Sequence, residues 1–229
     1  MSVKRFLYID DNKIDSQIDN LRKKLKRSGI ELVDTFVNFG DERFKIRDPN
    51  QNIILNIPYI KDYFKENILN ENFDIVASDY DYSDHNLDGY HLLKWIMNVS
   101  RSEKAPIRKA KFCLYSAQQD KLVNELNTPD KIKELIKLKI DDFISRDRLS
   151  DDLATIISRE DESYNFNEQL VKYLEKFPDY RFRDVYPKFK NKPLSEIAHE
   201  INKDLPNGTE FQKTLVELTI AHLIELNKF

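Results

Sequence analysis

Over roughly the first two thirds of the chain, short continuous apolar runs alternate with stretches whose apolar residues recur every three or four positions. Phe6 to Ile9 reads as a short buried strand. Ser16 to Ser28 follows with Ile18, Leu21 and Leu25 at helical spacing, and Gly29 stops it. Ile30 to Val37, rich in β-branched and aromatic residues, predicts a second strand. Between Gly40 and Asn56 the pattern is irregular. Phe44-Lys45-Ile46 and Ile53-Ile54-Leu55 read there as the arms of an inserted hairpin. Ile60 to Leu69 predicts a helix leading into a strand that ends at Asp79. After a polar loop closing on Asp88-Gly89, Tyr90 to Val99 predicts an amphipathic helix with Leu92, Leu93, Ile96 and Met97 on its buried side. Phe112 to Tyr115 and Phe143 to Ser145 complete five sheet strands, separated by a helix over Leu122–Leu138 that is interrupted near Pro129. Leu149 to Ile157 opens the last helix of this part. Strands alternating with helices predict an α/β fold: a doubly wound five-stranded parallel sheet with right-handed crossovers and an insertion after the second strand.

From about Glu160 the strand signals vanish. Tyr164–Phe177 and Leu194–Lys228 predict helices, joined by a stretch carrying Pro178, Pro187 and Pro193. Pro206-Asn207-Gly208 is expected to turn the chain between two of them. Phe211, Leu215, Leu218, Leu223 and Leu226 form an apolar stripe that suits either packing on the α/β part or a homodimer. The division expected is residues 1–158 as the α/β domain and 159–229 as an all-helical extension.

Composition narrows the partners. Of 229 residues, 34% are charged yet the net charge is −3, so no global attraction to nucleic acid or anionic lipid is built in. A basic, aromatic stretch (Arg181, Phe182, Arg183, Tyr186, Lys188, Phe189, Lys190 and Lys192) lies among acidic helices, and no helix-turn-helix with a basic second helix is visible. Nucleic acid is therefore not expected. No apolar run approaches the roughly 20 residues that span a bilayer. The start of the chain lacks a signal peptide's apolar stretch, and Cys113, alone in an apolar run, reads as a core residue in a reducing compartment. The expectation is a cytoplasmic protein.

The candidate chemistry sits at strand ends. Arg5-Phe6-Leu7-Tyr8-Ile9 runs into Asp10-Asp11, and Ile75-Val76-Ala77-Ser78 runs into Asp79. In α/β sheets the carboxyl ends of parallel strands face the ligand crevice. Carboxylates converging there repel one another unless a divalent cation neutralises them, and hard oxygen donors suit Mg²⁺. Such a pocket with one Asp free to attack phosphorus is a phosphoryl-transfer site.

These residues resemble the response-regulator receiver domain of two-component signalling over roughly residues 3–158, with a flavodoxin-like fold. Asp10 and Asp11 match the acidic pair, Asp79 the phosphoacceptor, Asp88-Gly89 the turn before a helix, Ser116-Ala117 the hydroxyl position, and Asp141-Asp142-Phe143 the approach to the last strand. The resemblance implies that Asp79 is a nucleophile forming an acyl phosphate. It implies that Asp10, Asp11, Asp79 and the backbone carbonyl of Asp81 hold Mg²⁺, that Ser116 binds the phosphoryl group, and that Phe143 is the aromatic switch. It implies a histidine kinase or phosphotransfer protein as donor and protein–protein interaction as output. The chemistry it implies is that of a phosphoacceptor, self-phosphorylation and autodephosphorylation, and the resemblance leaves open whether the protein is an enzyme.

Three departures stand out. Arg146 occupies the place of the usual Lys, keeping the charge on a planar, bulkier group. The loop after Asp79 is long, and Tyr80, Asp81, Tyr82, Ser83, Asp84 and His85 bring extra acid towards the site. The segment between the second strand and Asp79 is enlarged. Two further readings follow: an adaptor with a vestigial, unphosphorylated pocket, and a haloacid-dehalogenase-type phosphatase suggested by Asp79-Tyr80-Asp81, which leaves Asp10 and Asp11 unexplained.

Overall fold

The computed structural model describes residues 2–84, 86–118, 123–124, 127–162, 166–183 and 186–227. The chain divides into two compact units, Met1–Glu162 and Ser163–Phe229.

In the first unit β1 (Ser2–Asp10), β2 (Ile30–Asn38), β5 (Ile75–Asp79), β6 (Lys111–Ser116) and β7 (Asp142–Ser145) form one parallel sheet in the order β2-β1-β5-β6-β7. Counted within this sheet the order is 2-1-3-4-5, the flavodoxin-like arrangement, with its topological switch between β1 and β5. β1 is longer than its apolar run suggests because it pairs with β2 residue by residue from Ser2 to Asp10. Every residue of the central strand β5 is buried, as expected for a sheet covered on both faces.

α1 (Asp15–Arg27) and α5 (Leu149–Glu162) lie on one face. Ile18, Leu21 and Leu25 from α1 pack there with Leu149, Leu153 and Ile157 beneath Phe6, Tyr8 and Tyr115. α2 (Ile57–Asn67), α3 (Gly89–Ser102) and α4 (Pro129–Leu138) supply the other face, where Phe64, Leu93, Ile96 and Leu138 join Leu7, Val76 and Leu114. Helix starts follow capping chemistry. Asp88 caps α3 by accepting from the His91 N–H, and Thr128 caps α4 ahead of Pro129 in its first turn. α2 begins at Ile57, earlier than apolar spacing suggests, because Asn56 caps it and Pro58 fits its first turn. The predicted insertion is an antiparallel hairpin, β3 (Lys45–Arg47) with β4 (Ile53–Leu55).

The second unit has α6 (Phe166–Glu175), α7 (Leu194–Asn202) and α8 (Pro206–Leu226) around Val171, Phe189, Ile197, Ile201 and Phe211. Pro206-Asn207-Gly208 does not form the inter-helix turn. The three residues make the first turn of α8, where a Pro lacking its N–H is tolerated, and Gly208 fits because a Cβ would sit 2.7 Å from the Glu200 carbonyl. Of the predicted stripe only Phe211 is buried; Leu218, Leu223 and Leu226 are exposed. Lys188 and Lys192 of the basic stretch pair with Glu210 (2.6 Å) and Glu200 (2.7 Å). Cys113 is buried and its thiol is pushed up by burial. His85, Leu122 and Tyr164, which figure in the sequence readings, lie outside the described residues.

Candidate functional site

Register brings the acids together. Ile9 pairs with Ser78, so Asp10 and Asp79 end adjacent strands at the same level. Asp79 pairs with Tyr115, and Ser116 pairs with Ser145, so Arg146 emerges beside them at the end of β7. Asp10 is fully buried and Asp79 is 5% exposed, although both are charged residues. Each of Asp10, Asp11 and Asp79 offers a carboxylate oxygen, and these oxygens lie within 4.8 Å of one another.

Each acid is held separately. Asp10 accepts from the Asn12 N–H at 2.8 Å on one oxygen, and from the Tyr115 hydroxyl at 2.7 Å on the other. Asp79 accepts from the Tyr80 N–H at 2.9 Å. Asp11 accepts from the Asn12 amide at 2.7 Å. A single Nη2 of Arg146 donates to Asp10 at 2.8 Å and to Asp79 at 2.6 Å, joining the ends of β1 and β5 from β7. Its Nε is buried with no hydrogen-bond partner.

The electrostatics follow from geometry. Burial, then the adjacent Asp10 carboxylate, push the Asp79 carboxyl up to about 7, against the opposing pull of Arg146 and the Tyr80 N–H. Burial likewise raises Asp10, with the Asn12 N–H, Tyr115 and Arg146 acting the other way. Burial alone would make Arg146 less basic, but Asp79 and Asp10 outweigh it. Burial and then Asp10 push the Tyr115 hydroxyl well above its ordinary value, so it serves as a donor.

Two glycines let backbone approach the site. A Cβ on Gly89 would lie 1.8 Å from the Asp79 carbonyl oxygen, and one on Gly40 would lie 2.5 Å from that of Asp11. Neither position accepts a larger residue without moving a strand end.

The remaining predicted residues lie differently. Ser116 is buried one residue beyond the partner of Asp79, and its hydroxyl oxygen accepts from the Gln118 N–H at 3.0 Å. The Asp81 carboxylate accepts from Ser83 N–H at 3.1 Å within its own loop. Phe143 is 38% exposed on β7. Asp84 does not add acid to the cluster. It accepts from the Leu55 N–H at 2.6 Å and from the Asn86 N–H at 2.7 Å, tying the hairpin to the loop after Asp79. The hairpin and this loop together wall a cleft of about 380 Å³, which Asp11 joins to the acids and Phe39, Leu55 and Tyr82 line on the apolar side.

Sequence reasoning missed two hydroxyls, Tyr115 on Asp10 and Tyr82 on Ser78. For Tyr115 the available signal was a Tyr at the polar end of an apolar run, whose ring suits a core and whose tip needs a partner; Tyr82, in a polar loop, carried none.

Three carboxyl groups face one guanidinium, and their hard oxygens fit a divalent cation such as Mg²⁺. No helix among the described residues is long and apolar enough to cross a membrane.

No family model matches the sequence, and no curated protein matches it. Among solved structures, a sensor protein from Polaromonas sp. JS666 aligns over 68% of this chain and 94% of its own, at 13% identity and TM-score 0.40. An orphan response regulator of H. pylori covers 68% of this chain and 94% of its own, at 15% identity and TM-score 0.33. A response regulator in red light signalling of R. palustris covers 66% and 90%, at 12% identity and TM-score 0.33. Similarity this distant transfers no role, and the fold assignment rests on the strand order.

Proposed function

We propose that the first unit is a receiver-type signalling switch in which Asp79 accepts a phosphoryl group with Mg²⁺ bound. The observation that carries this reading is the buried acidic cluster at the topological switch point, with one arginine shared between two of its acids. Asp10, Asp11 and Asp79, with the backbone carbonyl of Asp81, would hold the ion, which when bound offsets negative charge on the carboxylates and the phosphoryl oxygens.

The chain's own residues divide the work. An Asp79 carboxylate oxygen attacks phosphorus, the bond to the donor's leaving group breaks, and an acyl phosphate forms. Arg146 moves from the carboxylate to a phosphoryl oxygen, since a guanidinium suits phosphate. Ser116 donates a hydrogen bond from its hydroxyl to another phosphoryl oxygen, while the Tyr115 hydroxyl keeps Asp10 in place. Phe143, exposed on β7, repacks as that end of the sheet draws in and alters the face that partners meet. The donor is a histidine kinase or phosphotransfer protein, the output is protein–protein interaction, and the setting is the cytoplasm.

The test is intact mass after incubation with acetyl phosphate. One phosphoryl group per chain is expected with Mg²⁺, none with EDTA and none in Asp79→Asn. A second reading, an adaptor with an unused pocket, is favoured by Arg146, whose hold on both acids neutralises part of the charge a cation would meet. Silence towards both acetyl phosphate and beryllofluoride would select it.

A further inference from the structure

A second cavity lies away from the acids, between α2 and α3. It measures about 390 Å³, within the range of small-molecule sites. Ile57, Ile60, Leu87, Leu92 and Trp95 make its apolar wall, and Asn98 lies on its edge.

The charges around it are unevenly committed. Lys94 is paired with Glu134, which also accepts from the Tyr90 hydroxyl. His91 is held by Asp88 at 2.8 Å. Lys61 is the exception: it has no acidic partner among the described residues, and its Nζ lies over the Trp95 ring at 5.8 Å. A half-buried ammonium resting on an indole is only weakly compensated. A carboxylate would satisfy it far better, by a charge-assisted hydrogen bond. The cavity thus joins an uncommitted cation, a flat aromatic face and an aliphatic floor.

We propose that this cavity binds a small organic carboxylate with a flat apolar body, its carboxylate on Lys61 and its body against Trp95. The site is separate from the phosphoacceptor pocket, and the proposal does not depend on phosphorylation. It does touch the same loop, because Asn86 and Leu87 belong to the segment that leaves Asp79 for α3.

Trp95 is the single tryptophan, so its emission reports on this cavity alone. The experiment titrates the full chain with 4-phenylbutyrate and, separately, with the uncharged 4-phenylbutyramide. A saturable change in Trp95 emission is expected with the acid. The amide should bind about tenfold or more weakly, the size of one charge-assisted hydrogen bond. Lys61→Met, which keeps the aliphatic stem, should weaken the acid by a similar factor, while Lys23→Met on α1 should leave it unchanged. Acid and amide binding equally well to the wild-type protein would overturn the proposal, and that comparison needs no variant. So would the absence of saturation up to the solubility of the acid, or undiminished affinity in Lys61→Met.

Discussion

The two ends of the parallel sheet are built from the same strands and treat charge in opposite ways. At the amino-terminal end, three acid–base pairs form among the described residues. Lys4 meets Asp74 at 3.4 Å, Arg5 meets Glu71 at 2.9 Å, and Lys111 meets Asp141 at 3.2 Å. Asp74 and Asp141 also accept from the backbone N–H groups of Arg5 and Phe112, just ahead of β5 and β7. At the carboxyl-terminal end, Asp10, Asp11 and Asp79 crowd together, and Arg146 pairs with Asp10 and Asp79. The balanced end is the one partly open to water, and the unbalanced end is the buried one. Stability alone would arrange this the other way, because a buried like-charge cluster is destabilising until a cation arrives. The difference separates charge matched within the fold from like charge gathered at one rim.

Removing the shared guanidinium should have the largest effect. Arg146→Met leaves buried carboxylates uncompensated, and urea denaturation in EDTA should show a loss of about 3–5 kcal/mol, partly restored by Mg²⁺. Next comes pH. The Asp79 carboxyl titrates near 7 in the folded chain against an ordinary value of 3.8. Below pH 4 it is protonated whether folded or unfolded. From pH 4 to 7 the unfolded chain gives up this proton and the native chain keeps it, so the native state loses stability as pH rises. Metal-free Asp79→Asn lacks this penalty. Its stability relative to wild type should climb by on the order of 2–4 kcal/mol between pH 4 and 8, as read from urea melts, and Mg²⁺ should flatten the wild-type curve. Asp84→Ala, which unties the hairpin from the loop, should lower stability by about 1–2 kcal/mol and raise amide exchange at Leu55. The smallest effect belongs to the balanced end. Lys111→Met, although it loses an ion pair, should change stability by less than about 1 kcal/mol in the same assay.

The strands and the acids at their ends were both legible because they rest on local signals. Apolar runs set the strands, and a parallel sheet aligns their carboxyl ends, so Asp10, Asp11, Asp79 and Arg146 converge once the runs are recognised. What stayed hidden depends on long-range geometry. Nothing local says that the Tyr115 hydroxyl reaches Asp10, 105 positions away, or that Asp84 turns towards Leu55 instead of the acids. The first turn of α8 was misread for a different reason. A Pro-Asn-Gly triplet carries turn chemistry by itself, and the helix tolerates it because Pro occupies a position whose N–H has no helical partner and Gly lies against α7.

The proposal turns on divalent-cation binding at the carboxyl-terminal rim of the sheet, by Asp10, Asp11 and Asp79. Calorimetric titration with Mg²⁺ at pH 8 tests it most directly, comparing wild type, Asp10→Asn, Asp79→Asn and the opposite-end variant Lys111→Met. The account predicts one site in wild type and in Lys111→Met, with affinity reduced about tenfold or more in each rim variant. Equal binding by all four proteins, or no heat of binding in wild type at millimolar Mg²⁺, would contradict it.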